Sequence, residues 1–385
     1  MNIQEVVESC RSVASNIAAP AADAIDRDAR WPEESLRALQ QNGLGGLVVP
    51  TRFGGLGHGL FGLALASEEL ARACSSTSLC FGMHCVGSAV LAAKATSRQA
   101  ERYLAPINEG QHLTTLALSE PGTGVHFYFP QCTCRVQPDG GLVLSGEKSF
   151  VTNGGHADSY VVSVARPDLA PDAGGRFSCV VVDRDAPGTS WGGNWKASRL
   201  RGNSSRELTL ADVPLAADRM LGEHGDQLWY VFQVVVPYFL TAMSGTYLGI
   251  AQAAYDLCRD SVASRRHDHS GRGVAHSPIV QHRLGTMWAR IARTRTLLHD
   301  AAARGDRGDE DTLPAVLSVK AEVADCVNEV VGDAMSLTGG RSYRRDGPLP
   351  RLLRDARAAH VMSPTTDLLR QWVGRALLEL PLLAD

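Results

Sequence analysis

Nine cysteines and twelve histidines give this 385-residue chain its widest chemical range. The cysteines form no CxxC pair. Cys80/Cys85 and Cys132/Cys134 are the closest, and an odd, scattered set reads as reduced thiols in a cytoplasm. His267 and His269 have the spacing of two metal ligands but lack an evident third, so no metal is expected. His126, Tyr238 and His360 can exchange protons, although each taken alone also fits a core or surface position. The most informative stretch is Leu116–Gly155, LALSEPGTGVHFYFPQ…GEKSFVTNGG, which sets His126 among hydroxyls, turn glycines and Lys148.

The elements that position these residues follow from the patterning. Hydrophobic residues make up 44% and charged residues 21%, which describes a globular protein with ample core. A net charge of −3 argues against a nucleic-acid partner held by charge. Only four lysines stand against 34 arginines, a skew typical of a GC-rich genome. The N-terminus lacks the basic-then-apolar order of a secretory signal. The most apolar run, Leu228–Met243, is interrupted by Gln233 and Pro237, so it reads as a buried helix and no membrane is expected.

Residues 1–112 read as helical, with apolar spacing over Leu60–Cys74 and a Thr96/Gln99 capping box ahead of Tyr103 and Leu104. Residues 113–225 change to short β-branched runs (Leu142–Ser145, Tyr160–Val164, Cys179–Val182, Leu208–Leu210), which implies a small β-barrel or sandwich. Residues 226–385 return to long helices. One runs from about Leu228 to Arg265 with a bend at Pro237, and one covers Ser277–Arg304. Another is capped by Thr312 and stopped by Gly339-Gly340, and a last one begins near Thr365.

Several motifs, in order, resemble the acyl-CoA dehydrogenase family. Besides Leu116–Gly155 they are Arg199–Gly222 (RLRGNSSRELTLADVPLAADRMLG), Ser277–Met287 (SPIVQHRLGTM), GGRSYRRDGPLP from Gly339, and RDAR at Arg354–Arg357. The resemblance covers nearly the whole chain. It implies an α+β, mainly α, fold: an N-terminal helical domain (1–112), a central β-barrel (113–225) and a C-terminal four-helix bundle (226–385). It implies FAD as cofactor. Leu118 and Ser119 lie against the flavin in such proteins, Phe150 would cover a ring face and Thr152 would reach N5. By the same resemblance Arg265 and Gln281 hold the far end of the cofactor. Gly339-Gly340 approach a neighbouring subunit's FAD, and Thr365 falls among the cofactor positions. A homodimer or homotetramer follows, with a flavoprotein or O₂ as electron acceptor.

The resemblance breaks where substrate is gripped. The glutamate that takes the α-proton in most members corresponds to Ser363, and a minority position for it corresponds to Phe239. Neither side chain is a base near neutral pH. The family's Ser-Asp after Gly-x-Gly is Val125-His126, and a helix Asp and Arg correspond to Pro237 and Leu240. Val125, Leu240 and Ser363 are therefore the expected substrate neighbours, with His126, Tyr238 and His360 as replacement bases. The expected activity is oxidation of an unusual acyl thioester, carried on an acyl carrier protein in secondary metabolism. The alternative is a flavin monooxygenase on the same fold using reduced flavin and O₂, for which the glutamate is dispensable.

Overall fold

The structure is a computed structural model that describes residues 1–169, 176–344 and 347–383. Arg345 and Asp346 of the Gly339 motif lie outside the described residues. The chain opens with helices α1 (Ile3–Val13), α2 (Ala19–Asp28), α3 (Glu33–Gln41), α4 (Gly59–Ala73) and α5 (Ser75–Ala93). The Thr96/Gln99 capping box forms as expected. α5 is apolar around its whole circumference and 94% buried, so it is the axis of a helical core.

Three helical segments widen into π turns: Ala14–Ala18, Ala100–Leu104 and Val231–Val235. Each ends two residues before a proline, Pro20, Pro106 or Pro237. A proline has no N–H for the carbonyl four residues back, and its ring collides with that carbonyl. Widening the turn relieves both problems, so the chain stays helical through Pro237, from Gln227 to Ser264.

The middle of the chain is an eight-stranded sheet. Its strands are β1 (Thr114–Ala117), β2 (Thr133–Val136), β3 (Leu142–Val151), β4 (Ser159–Ala165), β5 (Phe177–Asp183), β6 (Thr189–Trp191), β7 (Arg206–Leu215) and β8 (Met220–Leu221). The order is β6-β7-β3-β2-β4-β5-β8, with β1 parallel to β4. The expected barrel is therefore an open sheet. Its edge strands β6 and β8 have 3 and 2 residues and are not paired with each other. β3 runs past the expected Ser145 because a bulge lies between Leu144 and Gly146. Gly146 has φ 144, and a Cβ there would lie 2.5 Å from Cys132 Sγ, so glycine alone fits.

The rest is helical: α6 (Val236–Ser264), α7 (Pro278–Arg307), α8 (Thr312–Thr338), α9 (Pro348–Ala356) and α10 (Thr366–Leu377). α8 is preceded by Asp311 with no side-chain cap; Thr312 is its first residue and instead donates to Asp309 O at 2.7 Å. Gly339, with φ 69, stops it as expected. One apolar core joins the N-terminal helices to α6, α7 and α8, and a second fills the sheet. Trp31 packs against both.

Candidate functional site

The site is built on a buried ion pair. Lys148 on β3 is fully buried, and its Nζ donates to Glu120 Oε1 at 2.5 Å, Ser163 O at 2.6 Å, Ser163 Oγ at 3.0 Å and Leu118 O at 3.4 Å. Glu120 in turn accepts the backbone N–H groups of Gln131 at 2.6 Å and Cys132 at 3.1 Å. A buried charge pair is tolerated when its remaining donors and acceptors are filled, and here they are. The result is to fasten Leu118-Ser119 to β3, a join completed by Ser149 N–H donating to Ser119 O at 2.8 Å. Phe150 follows with φ 55, an uncommon conformation for a bulky residue, and stands 66% exposed. Trp195 meets it edge-on at 6.1 Å. Thr152 is buried, with Oγ1 3.3 Å from Ser205 Oγ. The structure thus brings Leu118, Ser119, Phe150 and Thr152 onto one platform.

Asn153, which the sequence reading missed, ties that platform to the helices. Its Oδ1 accepts from Trp31 Nε1 at 2.9 Å and its Nδ2 donates to Cys80 O at 2.9 Å. His84 makes a second seam: Nε2 donates to Gly45 O at 2.9 Å and Nδ1 accepts Thr114 N–H at 3.1 Å, the neutral tautomer. Burial holds its pKa down to about 4.

Arg265 and Gly339 meet within one protomer. Arg265 Nη1 donates to Thr338 O at 2.8 Å, and a Cβ on Gly339 would lie 3.9 Å from the same nitrogen. Gly340 follows beside them. Gln281 lies in the first turn of α7, with Nε2 on Ala275 O at 3.0 Å. Arg266 is drawn into a small hairpin with Gly273. The His267 and His269 rings lie 5.7 Å apart, and among the described residues no metal-binding cluster occurs.

The turn carrying Ser363 is held from below by Lys320, also missed from sequence. This lysine is fully buried on α8 and donates to the carbonyls of Ala359 (2.9 Å), Met362 (3.1 Å) and Pro364 (2.9 Å). Three acceptors match the three N–H groups of an ammonium. Burial lowers its pKa to about 8. The signal was a lone lysine inside the apolar run VLSVKAEVADCV. Ser363 Oγ and Thr366 Oγ1 are buried and have no hydrogen-bond partner among the described residues. Thr365 precedes α10 as its N-cap residue.

The three candidate bases differ. His360 Nε2 lies 3.1 Å from Asp325 Oδ1, whose other oxygen holds Arg370 at 2.5 Å, so it belongs to an ion cluster on α8. Burial pushes the Tyr238 phenol up to about 12. His126 is exposed, with Nδ1 3.0 Å from Tyr128 OH. Tyr128 is itself buried against Phe232 and Trp372, with ring centroids 6.0 and 6.1 Å away. Val125 is 37% exposed beside His126, Phe239 is half-buried, and Leu240 is fully buried on α6.

Known proteins match this arrangement along its length. Models of the acyl-CoA dehydrogenase N-terminal, middle and C-terminal domains match residues 2–111, 115–213 and 229–378. Cyclohex-1-ene-1-carbonyl-CoA dehydrogenase of Geobacter metallireducens is 30% identical, with 97% of each chain covered. Mitochondrial isovaleryl-CoA dehydrogenase of Oryza sativa is 28% identical over 97% of this chain and 90% of its own. Butyryl-CoA dehydrogenase from Megasphaera elsdenii superposes with a TM-score of 0.92 at 24% identity, covering 98% of both chains. The fold and site are those of a flavoprotein oxidoreductase. The chain belongs to the acyl-CoA dehydrogenase family.

Proposed function

We propose that this chain is an FAD-dependent dehydrogenase whose substrate is an acyl thioester other than an ordinary CoA ester, carried on an acyl carrier protein in secondary metabolism. The observations that support it are the Leu118–Ser119 segment fastened to β3 through Lys148 and a turn, at Ser363, that has no carboxylate. Leu118, Ser119, Phe150 and Thr152 would hold the flavin ring. Arg265, Gln281, Gly339, Gly340 and Thr365 would hold the remainder. The unpartnered buried hydroxyls of Ser363 and Thr366 fit a ligand at this place. When bound, FAD supplies the two-electron acceptor for a CH–CH oxidation.

The chain's own residues must then remove the α-proton. The buried Tyr238 phenol is too weak an acid to ionise near neutral pH, and His360 is committed to Asp325. His126 remains. In the tautomer whose Nδ1–H donates to the Tyr128 oxygen, Nε2 would take the proton. Val125, Phe239 and Leu240 line the substrate side with apolar surface. They exclude water and offer a CoA thioester no charged contact. The chain acts as a homodimer or homotetramer and passes electrons to a flavoprotein or O₂.

The missing carboxylates also suit the second reading, a monooxygenase using reduced flavin and O₂. One experiment separates the two. The yellow protein is mixed anaerobically with CoA and carrier-protein thioesters while the flavin band is watched. Bleaching with a carrier-bound thioester is expected. No bleaching with any thioester, together with oxygen uptake and a product gaining one oxygen when reduced flavin is supplied, would establish the monooxygenase instead.

A further inference from the structure

Residues 120–132 form a loop whose two ends are held by one carboxylate. Glu120, paired with the buried Lys148, accepts the N–H groups of Gln131 and Cys132 at 2.6 and 3.1 Å. Between these ends the chain turns in steps of three residues. Thr123 N–H donates to Glu120 O at 3.4 Å, and His126 N–H to Thr123 O and Phe129 N–H to His126 O at 2.9 Å each. The turns leave His126 exposed and bury Tyr128.

The Tyr128 ring is clasped by two elements distant in sequence. Phe232, in the π turn ahead of α6, lies 6.0 Å from it, and Trp372, on α10, lies 6.1 Å from it. Phe232 and Trp372 also meet each other edge-on at 5.9 Å. Three rings packed together from three segments leave the phenol little room to turn. The same segments carry or adjoin the expected substrate neighbours: Val125 on the loop, Leu240 on α6 and Ser363 on the turn before α10.

The hydroxyl sets this arrangement apart from plain packing. A phenylalanine would fill the same space, whereas a buried phenol oxygen calls for a hydrogen-bond partner. His126 Nδ1 stands 3.0 Å from it, with the two rings at 86°. Which nitrogen of an imidazole carries the proton is set by the bond the other nitrogen makes.

We infer that Tyr128 is the positioning residue of His126. Its oxygen accepts Nδ1–H and so leaves Nε2 unprotonated, and Phe232 and Trp372 hold the phenol in place. The inference rests on the reading of His126 as the base of the proposed function. The base then stands on the loop instead of the Ser363 turn, and the aromatic contacts tie that loop to the helix that follows the turn.

Magic-angle-spinning NMR of the ¹⁵N-histidine-labelled yellow protein reads the tautomer without any substrate, and His126→Gln identifies the His126 signals. At alkaline pH the wild type should show a protonated Nδ1 and a bare Nε2. In Tyr128→Phe, which keeps the ring and its packing, the proton should shift toward Nε2. A bare Nδ1 in the wild type overturns the inference even if a variant does not fold, and so does an unchanged His126 spectrum in Tyr128→Phe. Anaerobic flavin bleaching by a carrier-bound thioester gives a second readout. His126→Gln should slow it by about 10²–10⁴, and Tyr128→Phe by about tenfold to 10² with KM unchanged. On the His126→Gln background Tyr128→Phe should cost nothing more, because it acts through that imidazole. Losses that multiply would make Tyr128 a packing residue only, overturning the inference while the proposed function stands. Undiminished bleaching in His126→Gln would overturn both the base and its positioning. Should no thioester bleach the wild type, the proposed function fails, and the spectra still decide whether Tyr128 sets the tautomer.

Discussion

Lys148 and Lys320 are both fully buried, yet they sit in opposite electrostatic settings. Lys148 lies under the flavin platform with a carboxylate 2.5 Å away. Lys320 lies under the Ser363 turn with only carbonyls for company. On the platform, charge is balanced and every partner is filled. On the opposite wall a positive charge remains without a described carboxylate, and the side chain it supports is a neutral serine. The difference teaches that the two segments to which the proposed function gives flavin binding and proton abstraction are fastened by separate buried lysines. One can be kept intact while the other is emptied.

The sharpest way to break that comparison is to remove each lysine. Lys148→Met strands Glu120 as an unpaired buried charge, which should cost about 3–5 kcal/mol. Lys320→Met leaves three carbonyls without that donor, at about 1–3 kcal/mol for each that water cannot reach, but it also removes an uncompensated buried ammonium. The two terms offset, so its net loss should be the smaller of the two. Urea midpoints and retained FAD report both. Equal losses would mean that the two settings are not distinct.

Acid should loosen the platform next. His84 is neutral in the fold, with a pKa near 4 against 6.5 for the free side chain. Below 6.5 the unfolded chain takes up a proton that the folded chain does not. The stability His84 contributes is therefore complete above that pH and is lost as pH falls toward 4, on the order of 3 kcal/mol. Its partner Thr114 begins β1, which leads directly into Leu118-Ser119. Urea unfolding at pH 7.5, 5.5 and 4.5 should show this slope in the wild type and not in His84→Gln. The same slope in both would assign it to other groups.

How much of this was legible in the sequence follows from the range of the interactions. The platform was readable because Leu118, Ser119, Phe150 and Thr152 sit in contiguous motifs, where local spacing fixes neighbours. β3 was cut short at Ser145 because its continuation passes a Gly146 bulge and the polar residues Glu147 and Lys148, which interrupt the apolar alternation. Closure of the sheet depends on edge pairing between β6 and β8, 29 or more residues apart in sequence, and no local pattern reports it. The same holds for Arg265 beside Gly339, Asn153 beside Trp31, and Lys320 beneath the Ser363 turn. Each joins segments far apart in sequence through one to three hydrogen bonds. The resemblance puts the two expected proton-transfer slots at Ser363 and Phe239, where the sequence has no carboxylate. What stands in for them was not legible, because His126, Tyr238 and His360 differ only in surroundings that the fold supplies.

The smallest effect should come from Ser363 itself, and it tests the comparison most directly. Its hydroxyl is buried and bonds nothing among the described residues, so Ser363→Ala removes no hydrogen bond to them. Turnover should stay within about tenfold, against the roughly 10²–10⁴ expected on loss of a general base. The reverse change is more demanding. Ser363→Glu installs a carboxylate on a turn that Lys320 still holds by three carbonyls, so the backbone geometry is kept. If only the base had been lost, this variant should reduce its flavin with a simple acyl-CoA. Under the proposed function, however, the family's charged substrate contacts are replaced by Val125, Pro237 and Leu240, which give a CoA thioester no charged contact. A carboxylate without bound substrate has no proton to remove. The expected outcome is no flavin bleaching with acyl-CoA in either Ser363→Glu or the wild type, measured anaerobically at the flavin band. Rapid bleaching in the variant would show that the pocket still accepts ordinary CoA esters and that the wall differs from its relatives by one side chain alone.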